Sequence, residues 1–299
     1  MNKLISIFIP TYNRAEILKT VLSKVVDVVS VHQIKIYVYD NASTDNTESV
    51  VRFSQQSYEH IQYYKNETNL GPDRNMLNIL DFVGTKYVLM LGDDDYVLPN
   101  FCELLKPYLE RDFSFMVLAQ QEDYLKEKTQ IFSDRDQAFS FLWEKMPYGT
   151  VIMRTGVIQK DDVAKYIGTS HAYSAICWEM LSKENTTCLY LSETLSVYLG
   201  VVEKTWNSSA MDILYYQIPL WFSLLPENYK SKDTIYLKSK KIRFALRSLI
   251  SCKARYNFST LSSKEFFTTC ESFKFEVISV IPFQLLRRLL KKLNVCSIF

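Results

Sequence analysis

The feature that most constrains this 299-residue chain is a repeated alternation in its first hundred residues. A short β-branched apolar run is followed each time by a polar cluster and then by a segment with helical spacing. Residues 4–9 (LISIFI) stop at Pro10 and read as a buried strand. Residues 14–29 place Ile17, Leu18, Val21, Leu22, Val25 and Val28 on a helical period. Residues 33–39 predict a second strand, and the polar break at 41–47 supplies capping residues for a helix from about Thr44. A strand at 61–65, a helix at 72–83 and a strand at 86–91 continue the alternation. Strands separated by single helices require crossovers, so the fold class is α/β with a mainly parallel, Rossmann-like sheet flanked by helices. Beyond residue 100 the pattern predicts helices at 101–109 and 170–181, the latter capped by Thr169 or Ser170, and a strand at 113–119.

Ligands on such sheets bind beyond the carboxyl ends of the strands, and each polar cluster follows a strand. Pro10-Thr11-Tyr12-Asn13-Arg14, Asp40-Asn41-Ala42-Ser43, Asn66 to Arg74, and Gly92-Asp93-Asp94-Asp95 would share one sheet edge. Three consecutive aspartates repel one another unless a cation is near. A divalent metal, Mn²⁺ or Mg²⁺, held by one or two carboxylates and by phosphate oxygens would relieve that repulsion. It would also neutralise a departing diphosphate. The plainer alternative is a solvated Gly-Asp turn. Asp40 is placed to accept from a nucleobase or ribose, and the same segment can open a turn and cap the next helix, with different residues doing each job. Arg74 is a candidate for a phosphate or base, or an ordinary surface arginine.

Composition narrows the rest. With 7 Gly, 8 Pro and no fixed-period repeat, collagen-like, low-complexity and solenoid architectures are excluded. The six cysteines form no CxxC pair, so they read as scattered reduced thiols of a cytosolic protein. No stretch reaches about 18 apolar residues, so the expected location is cytoplasmic, or peripheral on the inner face of the membrane. Residues 229–299 hold 15 Lys/Arg against 4 Asp/Glu, a net of +11, against −9 for the remainder. Within this region 234–256 and 283–293 read as basic amphipathic helices, suited to an anionic membrane surface or simply packed with solvated lysines. No nucleic-acid module accompanies the charge, so nucleic acid is not an expected partner.

FIPTYNR (8–14), DNASTDNTE (40–48), NLGPDRN (69–75) and YVLMLGDDDYVLP (87–99) together resemble the family 2 glycosyltransferases with a GT-A fold. NLGPDRN with YIGTSH (166–171) is similar to the abequosyltransferase-like branch. The resemblance implies a nucleotide-sugar-binding half at 1–115 and an acceptor-binding half of the same domain at 116–228, while charge and apolar spacing make 229–299 a basic helical C-terminal region. It implies an inverting transfer of a sugar, in this branch a deoxyhexose, from a nucleotide-diphosphate donor to a hydroxyl of a surface-polysaccharide (O-antigen or capsule) precursor, lipid-linked or polymeric. Pro10, Thr11, Tyr12 and Arg14 would line the donor pocket with Asp40, Asn41 and Arg74. Counting the family's Asp-x-Asp by spacing selects Asp93 and Asp95, whereas aligning Tyr-Val-Leu-Pro puts Gly92 at the first Asp and Asp94 at the second. Asp94 or Asp95 is then the metal ligand and Asp93 the donor-side support.

The Glu-Asp pair that the resemblance implies as the source of the catalytic base has no counterpart in the corresponding stretch, residues 168–179. His171 lies at the corresponding helix start, where a neutral imidazole is a competent base, and Glu179 is the second candidate. His32 and His60 fall in linking segments and receive no function. Two other readings remain: a sugar nucleotidyltransferase, disfavoured because no Gly-rich basic loop follows the first strand, and a degenerate transferase serving as a scaffold or binding subunit.

Overall fold

The computed structural model describes residues 1–81, 84–120, 126–183, 187–193, 197–198, 200, 217–229 and 232. Met1–Thr205 and Leu224–Lys230 belong to one compact unit, which contains every candidate site residue, and Trp206–Ser223 with Ser231–Phe299 to another. The expected basic helices at 234–256 and 283–293 lie outside the described residues. Among the described residues, no helix is long and apolar enough to cross a membrane.

The predicted alternation is realised as β1 (Ile5–Thr11), α1 (Ala15–Val29), β2 (Ile36–Asp40), α2 (Thr47–Ser57), β3 (Ile61–Lys65), α3 (Pro72–Leu77) and β4 (Tyr87–Met90). Helix α3 is shorter than its apolar period suggests. At Asn78 the backbone N–H turns to the carbonyl of Asn75, three residues back, and Asn78–Asp81 continues as a 3-10 turn. Downstream come β5 (Tyr96–Val97), α4 (Phe101–Leu109), β6 (Phe113–Leu118), β7 (Gln130–Phe132), α5 (Arg135–Leu142), β8 (Val151–Arg154), α6 (Lys160–Val163), α7 (Ala172–Ser182), β9 (Thr187–Leu191) and β10 (Val197–Tyr198).

The eight-stranded sheet runs β3-β2-β1-β4-β8-β6-β9-β7, with β10 pairing separately with β5. Strands β3, β2, β1 and β4 are mutually parallel. β8 is antiparallel to both β4 and β6, β9 is parallel to β6, and β7 closes the edge antiparallel to β9. In β1, Ile5, Ile7, Ile9 and Phe8 are all fully buried, as expected for a strand covered on both faces. The three isoleucines join one core cluster with Leu18, Leu22 and Val25 of α1. Each such side chain contributes about 1.5–3 kcal/mol of burial, enough to hold the strand ends as a fixed frame for the loops. The chain leaves β1 towards β2 and β3, then returns to β4 on the other side of β1. That reversal makes the β1/β4 edge the topological switch point, where a crevice opens beyond the carboxyl ends.

Candidate active site

The crevice is bridged at once. Thr11, the last residue of β1, donates its hydroxyl to Asp93 Oδ2 at 2.8 Å. Arg14 donates to Asp93 Oδ1 at 2.6 Å and lies 3.3 Å from Asp94 Oδ2. Burial pushes the Asp93 carboxyl up, and Arg14 and Thr11 oppose that shift. The third carboxylate turns the other way. Asp95 Oδ2 accepts from the Gly92 N–H at 3.2 Å and Oδ1 from the Gly200 N–H at 2.9 Å. Burial, reinforced by Asp94 and Asp93, pushes Asp95 up to about 7 against those two amides.

This geometry corrects part of the electrostatic argument. The repulsion in the acidic run does not by itself require a metal, because Arg14 supplies a positive charge from within the chain. Among the described residues, no group of three or more His, Cys, Asp or Glu is arranged to hold a metal ion. What the loop offers is the half-buried Asp94, whose carboxylate accepts no backbone amide among the described residues, unlike that of Asp95. One carboxylate completed by diphosphate oxygens suits Mg²⁺ or Mn²⁺, which keep most of their shell for water and phosphate.

On the donor side the β1 and β2 loops are clamped together. The Asn13 N–H donates to Ser43 Oγ at 2.8 Å, and Asn13 Oδ1 accepts the Thr44 N–H at 2.8 Å. Asp45 accepts the first amide of α1, Ala15 N–H, at 2.9 Å and the Thr47 N–H at 3.0 Å. Although burial works against it, the bonds from Thr47 and Ala15 hold Asp45 below the usual carboxylate range. Helix α2 therefore begins at Thr47 rather than Thr44, since the residues before it are committed to this clamp.

Asp40 is 0% exposed. Its Oδ1 accepts the Ser43 N–H at 2.7 Å and its Oδ2 the Tyr63 hydroxyl at 2.6 Å, so Asp40 opens a turn here. The Asn41 amide is likewise absorbed by the protein. Its Nδ2 donates to Asn69 Oδ1 at 2.9 Å and Gly71 O at 3.3 Å, while its Oδ1 accepts from Asn66 at 3.0 Å and the Leu70 N–H at 2.9 Å. All four hydrogen-bonding positions of that side chain are used. Asn41 thus holds the loop that begins at Asn66, while Asp40 holds the turn at Ser43 and the Tyr63 hydroxyl. Tyr12, 44% exposed, Arg74, exposed, and Pro10, half-buried, remain open to a ligand.

The opposite wall is built on α7. His171 occupies its N-cap position without a side-chain cap bond, and the expected caps Thr169 and Ser170 lie before it. The His171 Nδ1 is 3.1 Å from the Thr169 carbonyl. A carbonyl only accepts, so Nδ1 carries the proton in the neutral ring and Nε2 is the basic nitrogen. Met90, the end of β4, accepts the Gly149 N–H at 2.9 Å, and the neighbouring Tyr148 hydroxyl donates to Ser170 O at 3.3 Å. Those two bonds tie the His171 loop to the strand that delivers the aspartates. Glu179, the second candidate base, is engaged within the protein. It is buried two turns into α7, accepts from Tyr166 at 2.7 Å and pairs with Lys165 at 2.9 Å.

The family model for glycosyl transferase family 2 matches residues 6–168, more than half of the chain. The chain belongs to this family. Abequosyltransferase RfbV of Salmonella typhimurium is 27% identical over 222 residues, covering 66% of this chain and 67% of that protein. The GalNAc(5)-diNAcBac-PP-undecaprenol beta-1,3-glucosyltransferase of Campylobacter jejuni is 24% identical over 286 residues, 82% of this chain and 91% of the relative. The mannosyltransferase PcManGT of Pyrobaculum calidifontis, solved with GDP-Man and Mn²⁺, superposes with a TM-score of 0.56 at 12% identity, covering 98% of this chain and 88% of that one. The fold is GT-A, and the Campylobacter jejuni relative is named for a PP-undecaprenol-linked substrate.

Several residues of this family 2 site carry no local sequence signal. Asp73, Tyr148 and Gly200 meet partners 22 to 105 positions away. Asn13, with φ of 53°, and Ala42, with φ of 65°, take left-handed conformations at the clamp. Asparagine tolerates that region well and alanine poorly.

Proposed function

We propose that this family 2 enzyme is an inverting glycosyltransferase that moves a sugar, within the abequosyltransferase-like branch a deoxyhexose, from a nucleotide-diphosphate donor to a hydroxyl of a lipid-linked or polysaccharide precursor. The observation that carries the reading is the convergence of Thr11, Arg14, Asp93 and Asp94 on the β1/β4 crevice, with His171 on a loop tied to the same strand end. The base stacks at Tyr12 and Pro10, with Arg74 at the lip. Asp93 and Arg14 face the diphosphate side, and Asp94 is the ligand for Mn²⁺ or Mg²⁺. When bound, the metal offsets charge on the departing diphosphate. His171 Nε2 takes the proton of the acceptor hydroxyl, whose oxygen forms the new bond to the anomeric carbon as the bond to the diphosphate breaks. One displacement of this kind inverts the centre and needs no covalent enzyme intermediate. The name of the Campylobacter jejuni relative, with its PP-undecaprenol-linked substrate, and the basic segments 234–256 and 283–293 support a location on the cytoplasmic face of the membrane.

Thermal shift with nucleoside diphosphates tests the donor half. Stabilisation by one of them is expected to grow when Mn²⁺ is added, and no stabilisation by any would overturn the reading. His171→Ala is expected to lower turnover by ~10²–10⁴-fold, the usual worth of general-base help, with nucleotide affinity retained. Unchanged turnover would remove His171 from the mechanism. The stretch 168–179, without a Glu-Asp pair, favours the scaffold alternative, which predicts no Mn²⁺-dependent donor hydrolysis at all, whereas the intact acidic run speaks against it.

A further inference from the structure

One carboxylate joins the donor side of the crevice to the wall carrying His171. Asp73, in the first turn of α3 and 5% exposed, accepts three backbone amides from a segment about a hundred residues away. Its Oδ2 receives the Gly168 N–H at 2.8 Å and the Ser170 N–H at 3.0 Å, and its Oδ1 the Ala172 N–H at 3.4 Å. Gly168 and Ser170 have φ of 92° and 56°. Left-handed residues alternating in this way turn successive amides inward, which makes a concave anion-binding nest. Here the anion is built in.

The consequences fall on His171. The amides of its two neighbours, Ser170 and Ala172, are both anchored on Asp73, and its own N–H donates to Thr169 Oγ1 at 3.3 Å. Ala172 is the first residue of α7, so Asp73 supplies the helix-start acceptor that His171 itself does not. At its other end Asp73 is equally fixed. Asn75, two residues on, donates to Tyr39 O at 3.2 Å and accepts from Asn66 at 2.9 Å, while the preceding loop hangs from Asn41.

We propose that Asp73 is the positioning residue that presents His171 to the reaction and couples it to the donor loop; this rests on His171 being the base. Asp73→Asn keeps the shape but turns one accepting atom into a donor facing an N–H. Turnover is expected to fall about 10²-fold, the scale of a misplacement near 1 Å, with nucleotide Kd and donor KM unchanged. The effect should run through His171, so Asp73→Asn in a His171→Ala background should cost nothing further. The chain has three histidines, which makes imidazole ¹⁵N spectra tractable. In the wild type the His171 ring should be the Nδ1-protonated tautomer, and in Asp73→Asn a mixture. Where that variant does not fold, Asp73→Glu carries the same measurements, with retained nucleotide binding as the check on folding. Losses that multiply in the double variant, or an unaltered His171 tautomer with unaltered turnover, would overturn the proposal. Wild-type turnover in His171→Ala alone would instead overturn the base assignment beneath it.

Discussion

Asp94→Asn is expected to abolish the Mn²⁺-dependent gain in nucleotide affinity and to lower sugar transfer by ~10²–10³-fold, a loss typical of removing one preorganised group that meets developing charge. The three aspartates look alike in the sequence, but their surroundings differ. Asp93 is bonded to Thr11 and Arg14. Asp95 is turned onto the amides of Gly92 and Gly200. Asp94 faces Arg14 at 3.3 Å and has a half-buried side chain. An asparagine there keeps the shape and loses the charge that a hard divalent ion requires. Asp95→Asn should behave differently. Its Oδ1 can still accept the Gly200 N–H, so Mn²⁺ binding should persist while the loop loosens. Electron paramagnetic resonance of Mn²⁺ with a nucleoside diphosphate separates the two. Loss of the bound signal in Asp95→Asn and its survival in Asp94→Asn would reverse the assignment.

The first half of this architecture was legible because its signals are local. Apolar period, β-branched runs and breaks located β1 to β4, α1 and α2 to within a few residues, and residues 61–65 and 101–109 match β3 and α4 end for end. Parallel crossovers then oblige the strand-end clusters to share one edge, so the crevice followed from topology before any contact was known. What the sequence could not convey is which polar group spends itself on the fold. Asp40 and Asn41 have the composition of ligand contacts, yet their bonds go to Ser43, Tyr63, Asn66, Asn69 and Leu70. Arg14 belongs to the first polar cluster, and nothing local pairs it with an acidic run 79 positions away. Asp73 lies inside a motif that drew attention for Arg74. The amides it caps can be found only when α3 and α7 are brought together.

Gly92→Asp makes the loop resemble the family more closely and is expected to disable it. The substitution would restore an aspartate where aligning Tyr-Val-Leu-Pro places the family's first one. In this chain that space is taken, because a Cβ on Gly92 would overlap Asp95 Oδ2, the acceptor of the Gly92 N–H. To make room, Asp95 Oδ2 must leave Gly92, which strains the bond from Gly200 to the other oxygen. Gly200 already packs its backbone against the Asp94 carbonyl, where no Cβ would fit. Forced overpacking of this kind costs about 1–3 kcal/mol, which lowers Tm by several degrees in a domain of this size. A fourth carboxylate also joins a cluster in which Arg14 is the cation already paired with Asp93 and Asp94. Gly92→Ala separates the two contributions, because it brings the overlap without the charge. Both variants should unfold earlier than wild type by a similar amount, and both should bind nucleotide more weakly with Mn²⁺ present. Gly92→Asp should fall further at low metal concentration, where repulsion is unrelieved. A Gly92→Asp protein with wild-type Tm and tighter Mn²⁺ binding would mean that position 92 is an open ligand position, and that Asp95 does not hold the loop.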